Sequence, residues 1–211
     1  MLLQIHSPST TTALSQVPIN KSIADFVLIN GKAVVYEIKS GLDSFDRLES
    51  QVNDYYKAFS RVSVITTEHQ YDRISKLMAN TNTGIYVLTD RNTISRTLRK
   101  EPNEDTSLLD HTVIFKMLRK KEIERIIYKF YNELPNTTQV MYYKACLQKF
   151  CAIPILQVYD DALKELKKRV AISHSELSAV PYEFRSLYYF SQPNHKAATA
   201  LDSFANSIFG G

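Results

Sequence analysis

The sequence predicts an α/β fold, a mixed sheet flanked by helices, followed by an all-helical C-terminal part. Three observations predict it. Two β-branched runs, Ile23–Ile29 and Ala33–Lys39, flank Asn30-Gly31, a dipeptide that favours positive φ and closes hairpins. Two further apolar runs, Arg61–Thr66 and Gly84–Thr89, alternate with stretches of helical period, as in strand–helix–strand units. Beyond Ser107 the strand signal disappears and the helical period dominates.

In chain order, residues Met1 to Asn20 read as a short extended segment and then loop, being rich in Ser, Thr and Pro. The hairpin follows. Ser44 to Ser60 reads as an amphipathic helix, because Phe45, Leu48, Val52, Tyr55, Tyr56 and Phe59 recur at helical spacing, with Asp43 or Ser44 as its cap. Arg61–Thr66 is a strand, Tyr71–Ala79 a helix and Gly84–Thr89 a strand, giving the order ββαβαβ with crossovers packed on the sheet. Asp90 to Ser107 is polar and reads as linker or exposed loop. Lys121–Leu134, Thr137–Phe150 and Ile155–Val170 read as helices, the last set off by Pro154. Ser173 caps a short helix, Pro181 begins another, and the Ala-rich stretch Lys196–Phe209 is weakly helical. The domain division that follows is 1–100 for the α/β core and 107–211 for the helical region.

Composition narrows the classes. The net charge of +4 permits an anionic partner without demanding one. No apolar run is long enough to span a bilayer, and Met1-Leu2-Leu3-Gln4-Ile5-His6 lacks the charged start of a signal peptide, so the expected localisation is cytoplasmic. Cys146 and Cys151 match no zinc spacing and read as reduced core thiols. The five histidines are scattered, and Ser173-His174-Ser175 reads as a cap region rather than part of a triad.

The hairpin carries the chemistry. Asp25, Glu37 and Lys39 lie inside its strands, where charge is normally costly. A strict two-residue turn sets Asp25 opposite Tyr36 and turns Glu37 to the other face. Convergence of Asp25 and Glu37 therefore demands an odd-length loop or a bulge, with Gly31 in the left-handed region. Given convergence, two carboxylates and the Ile38 carbonyl suit Mg²⁺ (or Mn²⁺). Such an ion activates a water, with Lys39 beside it. Arg47, Gln51 and Tyr55 form one helical stripe that can hold a phosphate or that water. The plainer alternative for Glu37-Ile38-Lys39 is a solvated face or a local ion pair.

Asp25, eleven residues, then Glu37-Ile38-Lys39, with Gln51-Val52-Asn53-Asp54-Tyr55 on the next helix, resembles the PD-(D/E)XK nuclease superfamily in its RecB-like branch. Within it the chain looks closest to small stand-alone bacterial proteins whose function is not settled. The resemblance covers about residues 23 to 89 and extends weakly through the helical half. It implies a restriction-endonuclease-like mixed sheet core in residues 1–100. It implies a metal-dependent nuclease, a hydrolase acting on DNA, with Asp25, Glu37 and the Ile38 carbonyl as Mg²⁺ ligands. Asp25, Glu37, Lys39 and Gln51 would be catalytic, with Arg47 and Tyr55 in support. Two departures stand beside it: Ala24 occupies the position of the family's Pro, and no acid precedes Asp25 where many relatives carry an upstream Glu. The second motivates the alternative, a non-catalytic module binding nucleic acid or protein on a degenerate nuclease scaffold.

In the helical half, Arg119, Lys120, Lys121, Arg125 and Lys129 share the polar side of one helix. That side either contacts a phosphate backbone, with Tyr142 or Tyr143 stacking on exposed bases, or is simply a solvated face. A protein partner or self-association is compatible with either.

Overall fold

The computed structural model describes residues 10–40, 43–91, 93–170, 172, 174–193, 199–200 and 203. Six strands form one sheet in the order β1-β2-β3-β4-β5-β6: β1 Thr12–Ile19, β2 Ser22–Asn30, β3 Lys32–Ile38, β4 Val62–Thr67, β5 Gly84–Leu88 and β6 Ile94–Lys100. The β1–β2, β2–β3 and β5–β6 pairs are antiparallel, while β3–β4 and β4–β5 are parallel. The two parallel crossovers carry α1 (Leu48–Tyr56) and α2 (Glu68–Leu77). The C-terminal part is helical: α3 His111–Met117, α4 Lys120–Tyr131, α5 Gln139–Cys151, α6 Ile155–Lys167, α7 His174–Ala179 and α8 Arg185–Ser191. A mixed sheet flanked by helices is thus established.

Two strands lie where the sequence reading placed loop. β1 is an edge strand carrying Pro18 and a left-handed residue, Gln16 at φ +52°, and both blur its alternation. β6 is the other edge, and Arg96, Thr97 and Arg99 are exposed, so no apolar face advertises it. Helix α3 was also unread, although Asp110 caps it by accepting from the backbone N–H groups of Thr112 (2.7 Å) and Val113 (3.0 Å). α1 starts at Leu48 rather than Ser44, because Asp43 turns back to accept from the Ser40 N–H and hydroxyl instead of capping. Pro181 does open a short 3₁₀ turn, Tyr182–Phe184. The expected Ser173 cap lies outside the described residues, as does Lys196–Phe209 apart from 199, 200 and 203.

One continuous core fills the space between the sheet and the helices. Val27, Val35, Val62, Val64 and Ile85 of the sheet meet Leu48, Val52 and Tyr55 of α1 and Ile74 of α2. The same core takes in Ile114 and Phe115 of α3, Ile126 and Ile127 of α4, Phe150 of α5 and Leu166 of α6. A smaller cluster joins Ala13, Leu28 and Tyr36 to Leu177 and Tyr189, so α7 and α8 contribute a second patch of core. The Tyr189 hydroxyl accepts the Ala13 N–H at 2.9 Å and ties edge strand β1 to α8.

Ion pairs stitch α4 to α6. Arg125 donates to Glu165, Lys129 to Asp161, and Arg169 grips Glu122. Burial pushes the Asp161, Glu165 and Glu122 carboxyls upward, but their cationic partners outweigh it and hold all three below the ordinary carboxylate range. A depressed folded-state pKa contributes stability above the unfolded value, near 4, that is lost as pH falls further. Urea midpoints are therefore expected to hold from pH 7 to about 5 and drop between about pH 4 and 2.5. The wild type is expected to lose more over that range than Glu165→Gln; parallel curves would contradict this.

Candidate functional site

The β2–β3 hairpin meets the parity demand. Asn30 pairs with Lys32 across a single Gly31 at φ +69°, and the register runs on to Phe26 opposite Tyr36. Continuing it brings Asp25 level with Glu37 rather than with Tyr36. The ladder stops there, and the Asp25 carboxylate accepts the Ile38 N–H (2.8 Å), which a longer strand would have paired. Gln16 reaches the other Asp25 oxygen at 3.4 Å.

Glu37 points inward from β3 and is 3% exposed. Both of its oxygens are engaged. Gln51 donates to Oε1 at 2.6 Å, Lys39 Nζ approaches the same oxygen at 3.0 Å, and the Tyr55 hydroxyl donates to Oε2 at 2.6 Å. Lys39 also donates to Gln51 Oε1 (3.0 Å), closing a ring of three side chains. Burial first, then the bond to Glu37, pushes the Tyr55 pKa well above its ordinary value and keeps the phenol a donor. The structure thus brings Asp25, Glu37, Lys39, Gln51 and Tyr55 together. Arg47 is not part of this ring: its side chain is exposed, and its carbonyl accepts from the Gln51 N–H and the Ser50 hydroxyl. The Ile38 side chain is exposed beside the cluster.

The carboxylates that the sequence reading assigned to a metal are bonded within the protein. Mg²⁺ asks for oxygen ligands in near-octahedral array, whereas here the oxygens of Glu37 are occupied by protein donors. Among the described residues, no three His, Cys, Asp or Glu side chains gather closely enough to hold a metal ion. A residue the sequence reading passed over is Asp54, which accepts from Asn20, Lys21 N–H, Ser22 and Lys57 and fixes α1 to the β1–β2 turn.

A second candidate lies in the helical half. Helices α3, α4 and α5 enclose a cleft of about 640 Å³. Phe115, Leu118, Ile123 and Cys146 form much of its wall, with Tyr142 and Tyr143 from α5 and Lys116 and Lys120 at its edge. Phe115 meets Tyr143 edge-on at 5.2 Å and Phe150 likewise at 5.2 Å. Lys120 sits 5.0 Å over the Tyr142 ring, and the Tyr142 hydroxyl donates to Glu124 at 2.9 Å. Arg125 and Lys129, expected on the phosphate-facing side, are instead spent on Glu165 and Asp161. Among the described residues, exposed Lys116, Lys121 and Lys144 enter no ion pair.

The family described as Bacteriophage P4 protein cII matches residues 1–179 of the chain. The chain belongs to that family. No curated protein and no solved structure matches it. Membership of the P4 cII family corrects the resemblance drawn from the motifs: the chain is not assigned to the PD-(D/E)XK superfamily or its RecB-like branch. With it fall the readings of nuclease, hydrolase, metal-binding protein and Mg-dependent phosphodiesterase; the described residues also hold no cluster of three His, Cys, Asp or Glu side chains. The motif misled because it is short. An odd hairpin with Asp on one strand and Glu-x-Lys on the other brings these charges together; here Lys39 pairs with Glu37, and Asp25 accepts from the Ile38 N–H and Gln16. Among the described residues no helix is long and apolar enough to cross a membrane.

Proposed function

We propose that this P4 cII family member is a non-catalytic, cytoplasmic module that binds nucleic acid, DNA in the first place, through the α3–α5 surface. The carrying observation is that Lys116 and Lys120 line this aromatic surface, with exposed Lys144 next to Tyr143 in sequence, while most acids of the helical half are engaged elsewhere. Glu165, Asp161 and Glu122 each hold a cation of their own, and Glu133 holds Lys149. Among the described residues Lys116 and Lys144 are exposed without an ion pair, and Lys120 approaches Glu124 at 3.8 Å. Cations left without acids are the surface feature that phosphate neutralisation uses. The name of the family supports a role in a phage context. The β2–β3 charge cluster then serves the scaffold, since its hydrogen bonds join β2, β3 and α1.

The test is fluorescence anisotropy with labelled DNA over a range of salt. Binding is expected to weaken steeply as salt rises. Lys116→Ala, Lys120→Ala and Lys144→Ala combined are expected to reduce the log–log salt slope by about 2 and the affinity by roughly 10- to 100-fold. DNA left with the protein and Mg²⁺ is expected to be recovered intact. Salt-insensitive binding, or binding indifferent to the three substitutions, would overturn the reading.

A further inference from the structure

Resting on that reading, we infer that the α3–α5 cleft is a base-stacking slot for an unpaired stretch of DNA, with Tyr143 as the platform and the lysines at its rim taking the phosphates.

Tyr143 is 56% exposed, yet its ring is not loose. One edge rests against Phe115, itself buried and braced edge-on by Phe150. A fixed aromatic ring with an open side is what an unstacked base needs, because ordering the ring adds little entropic cost at the moment of binding. The cleft volume, about 640 Å³, falls in the range that small organic ligands occupy, roughly 300–1,000 Å³.

Charge places the backbone. Lys116 directly follows Phe115, and Lys120 stands at the Tyr142 end of the same cleft. Lys144 follows Tyr143 on α5. The side chains of Thr137 and Gln139, also in the lining, make no hydrogen bond among the described residues, which leaves them to meet the edge of a base. Apolar wall, free polar edge and rim cations together match the stacking-plus-phosphate pattern of single-strand binding, and the Glu124 carboxylate in the lining is engaged by Tyr142 and Lys120.

Concavity favours a single strand over a duplex. Within a duplex both faces of each base are covered by neighbours, which leaves no base face for the Tyr143 ring to stack on. An unpaired base offers its face at no unpairing cost. Deoxyribose fits the apolar part of the wall better than ribose, because a 2′-hydroxyl turned toward Leu118, Ile123 and Phe115 carries a desolvation cost.

The experiment uses the full chain and three labelled probes: oligo(dT), oligo(U) of the same length and a duplex of that length. The wild type is expected to prefer oligo(dT) to both others. Tyr143→Leu keeps apolar volume against Phe115 but removes the π face. It is expected to lower oligo(dT) affinity roughly 5- to 100-fold and to collapse the strand-over-duplex preference. Tyr143→Phe is expected to retain both, and unchanged thermal midpoints check that each variant is folded. A Tyr143→Leu protein that keeps its strand preference overturns the inference, as does a wild type that prefers duplex or oligo(U). So does a change in sedimentation instead of affinity, which would make the cleft a contact between copies. Loss of the lysine effect on every probe would instead sink the broader nucleic-acid reading, so the two failures are distinguishable.

Discussion

Replacing Glu37 by alanine is expected to lower the unfolding free energy by about 3–5 kcal/mol. The carboxylate is nearly inaccessible and receives Gln51, Lys39 and Tyr55. Removing it leaves the Lys39 ammonium, 11% exposed, without its counter-charge and strips acceptors from the Gln51 amide and the Tyr55 phenol. Each orphaned donor adds a desolvation penalty to the lost attraction. Tyr55 recovers part, because its hydroxyl also lies 2.9 Å from the Ile23 carbonyl. Gln51 and Lys39 retain each other. Glu37→Gln keeps an acceptor for Tyr55 and is expected to cost about half as much. Adding Lys39→Met to Glu37→Gln removes the stranded charge and is expected to restore part of the loss, a coupling that a double-mutant cycle reads directly. Urea unfolding with an unchanged slope is the measurement.

The sign of that result bears on function. A carboxylate held in a site for chemistry is often strained against its surroundings, and removing it leaves stability unchanged or raises it. A carboxylate that serves as a structural joint behaves the opposite way. A Glu37→Ala protein as stable as the wild type would therefore contradict the scaffold role given to the β2–β3 cluster.

The hairpin was legible because its signals are local. Asn30-Gly31 carries the turn, β-branched runs carry the strands, and parity follows from counting residues across Gly31. That count correctly stated what convergence of Asp25 and Glu37 required. What the sequence did not carry is how far the charges satisfy one another. Whether Glu37 faces a metal or the Gln51, Lys39 and Tyr55 donors depends on how α1 packs on β3, which is long-range information. The same limit applies to α4. Its basic side was visible, but Arg125 and Lys129 are neutralised by acids about forty and thirty residues onward, and Lys120 lies 3.8 Å from Glu124. The edge strands β1 and β6 were missed for a different reason. A half-exposed edge needs no apolar alternation, and Gln16 and Pro18 interrupt what β1 has. The core positions of α1 were read from period alone, and Leu48, Val52, Tyr55 and Tyr56 are buried.

Asp54 shows how much a motif's unremarked position can carry. Asp54→Ala is expected to destabilise the protein by about 2–3 kcal/mol. The carboxylate accepts from the Asn20 amide (2.5 Å), the Lys21 N–H (3.3 Å), the Ser22 hydroxyl (3.0 Å) and Lys57 Nζ (3.0 Å). Three of those donors belong to the β1–β2 turn, whose Asn20 sits at φ +54°, a left-handed conformation that Asn tolerates and most residues do not. The turn is thus clasped to α1 one residue before Tyr55, and Tyr55 in turn reaches Ile23 and Glu37. Losing Asp54 frees the turn and loosens the end of β2 that carries Asp25. Hydrogen exchange is expected to rise first at Lys21 and Ser22, ahead of the core strands. Burial pushes the Asp54 carboxyl upward, but bonds from Asn20, Lys57 and Ser22 outweigh it and hold it below the ordinary range. Its contribution is therefore complete above about pH 5 and fades as pH falls through and below about 4. The gap between wild type and Asp54→Ala is expected to narrow in acid over that window, and Asp54→Asn, which keeps one acceptor, to fall between them. A gap that widens toward low pH would show that Asp54 acts through something other than its charge.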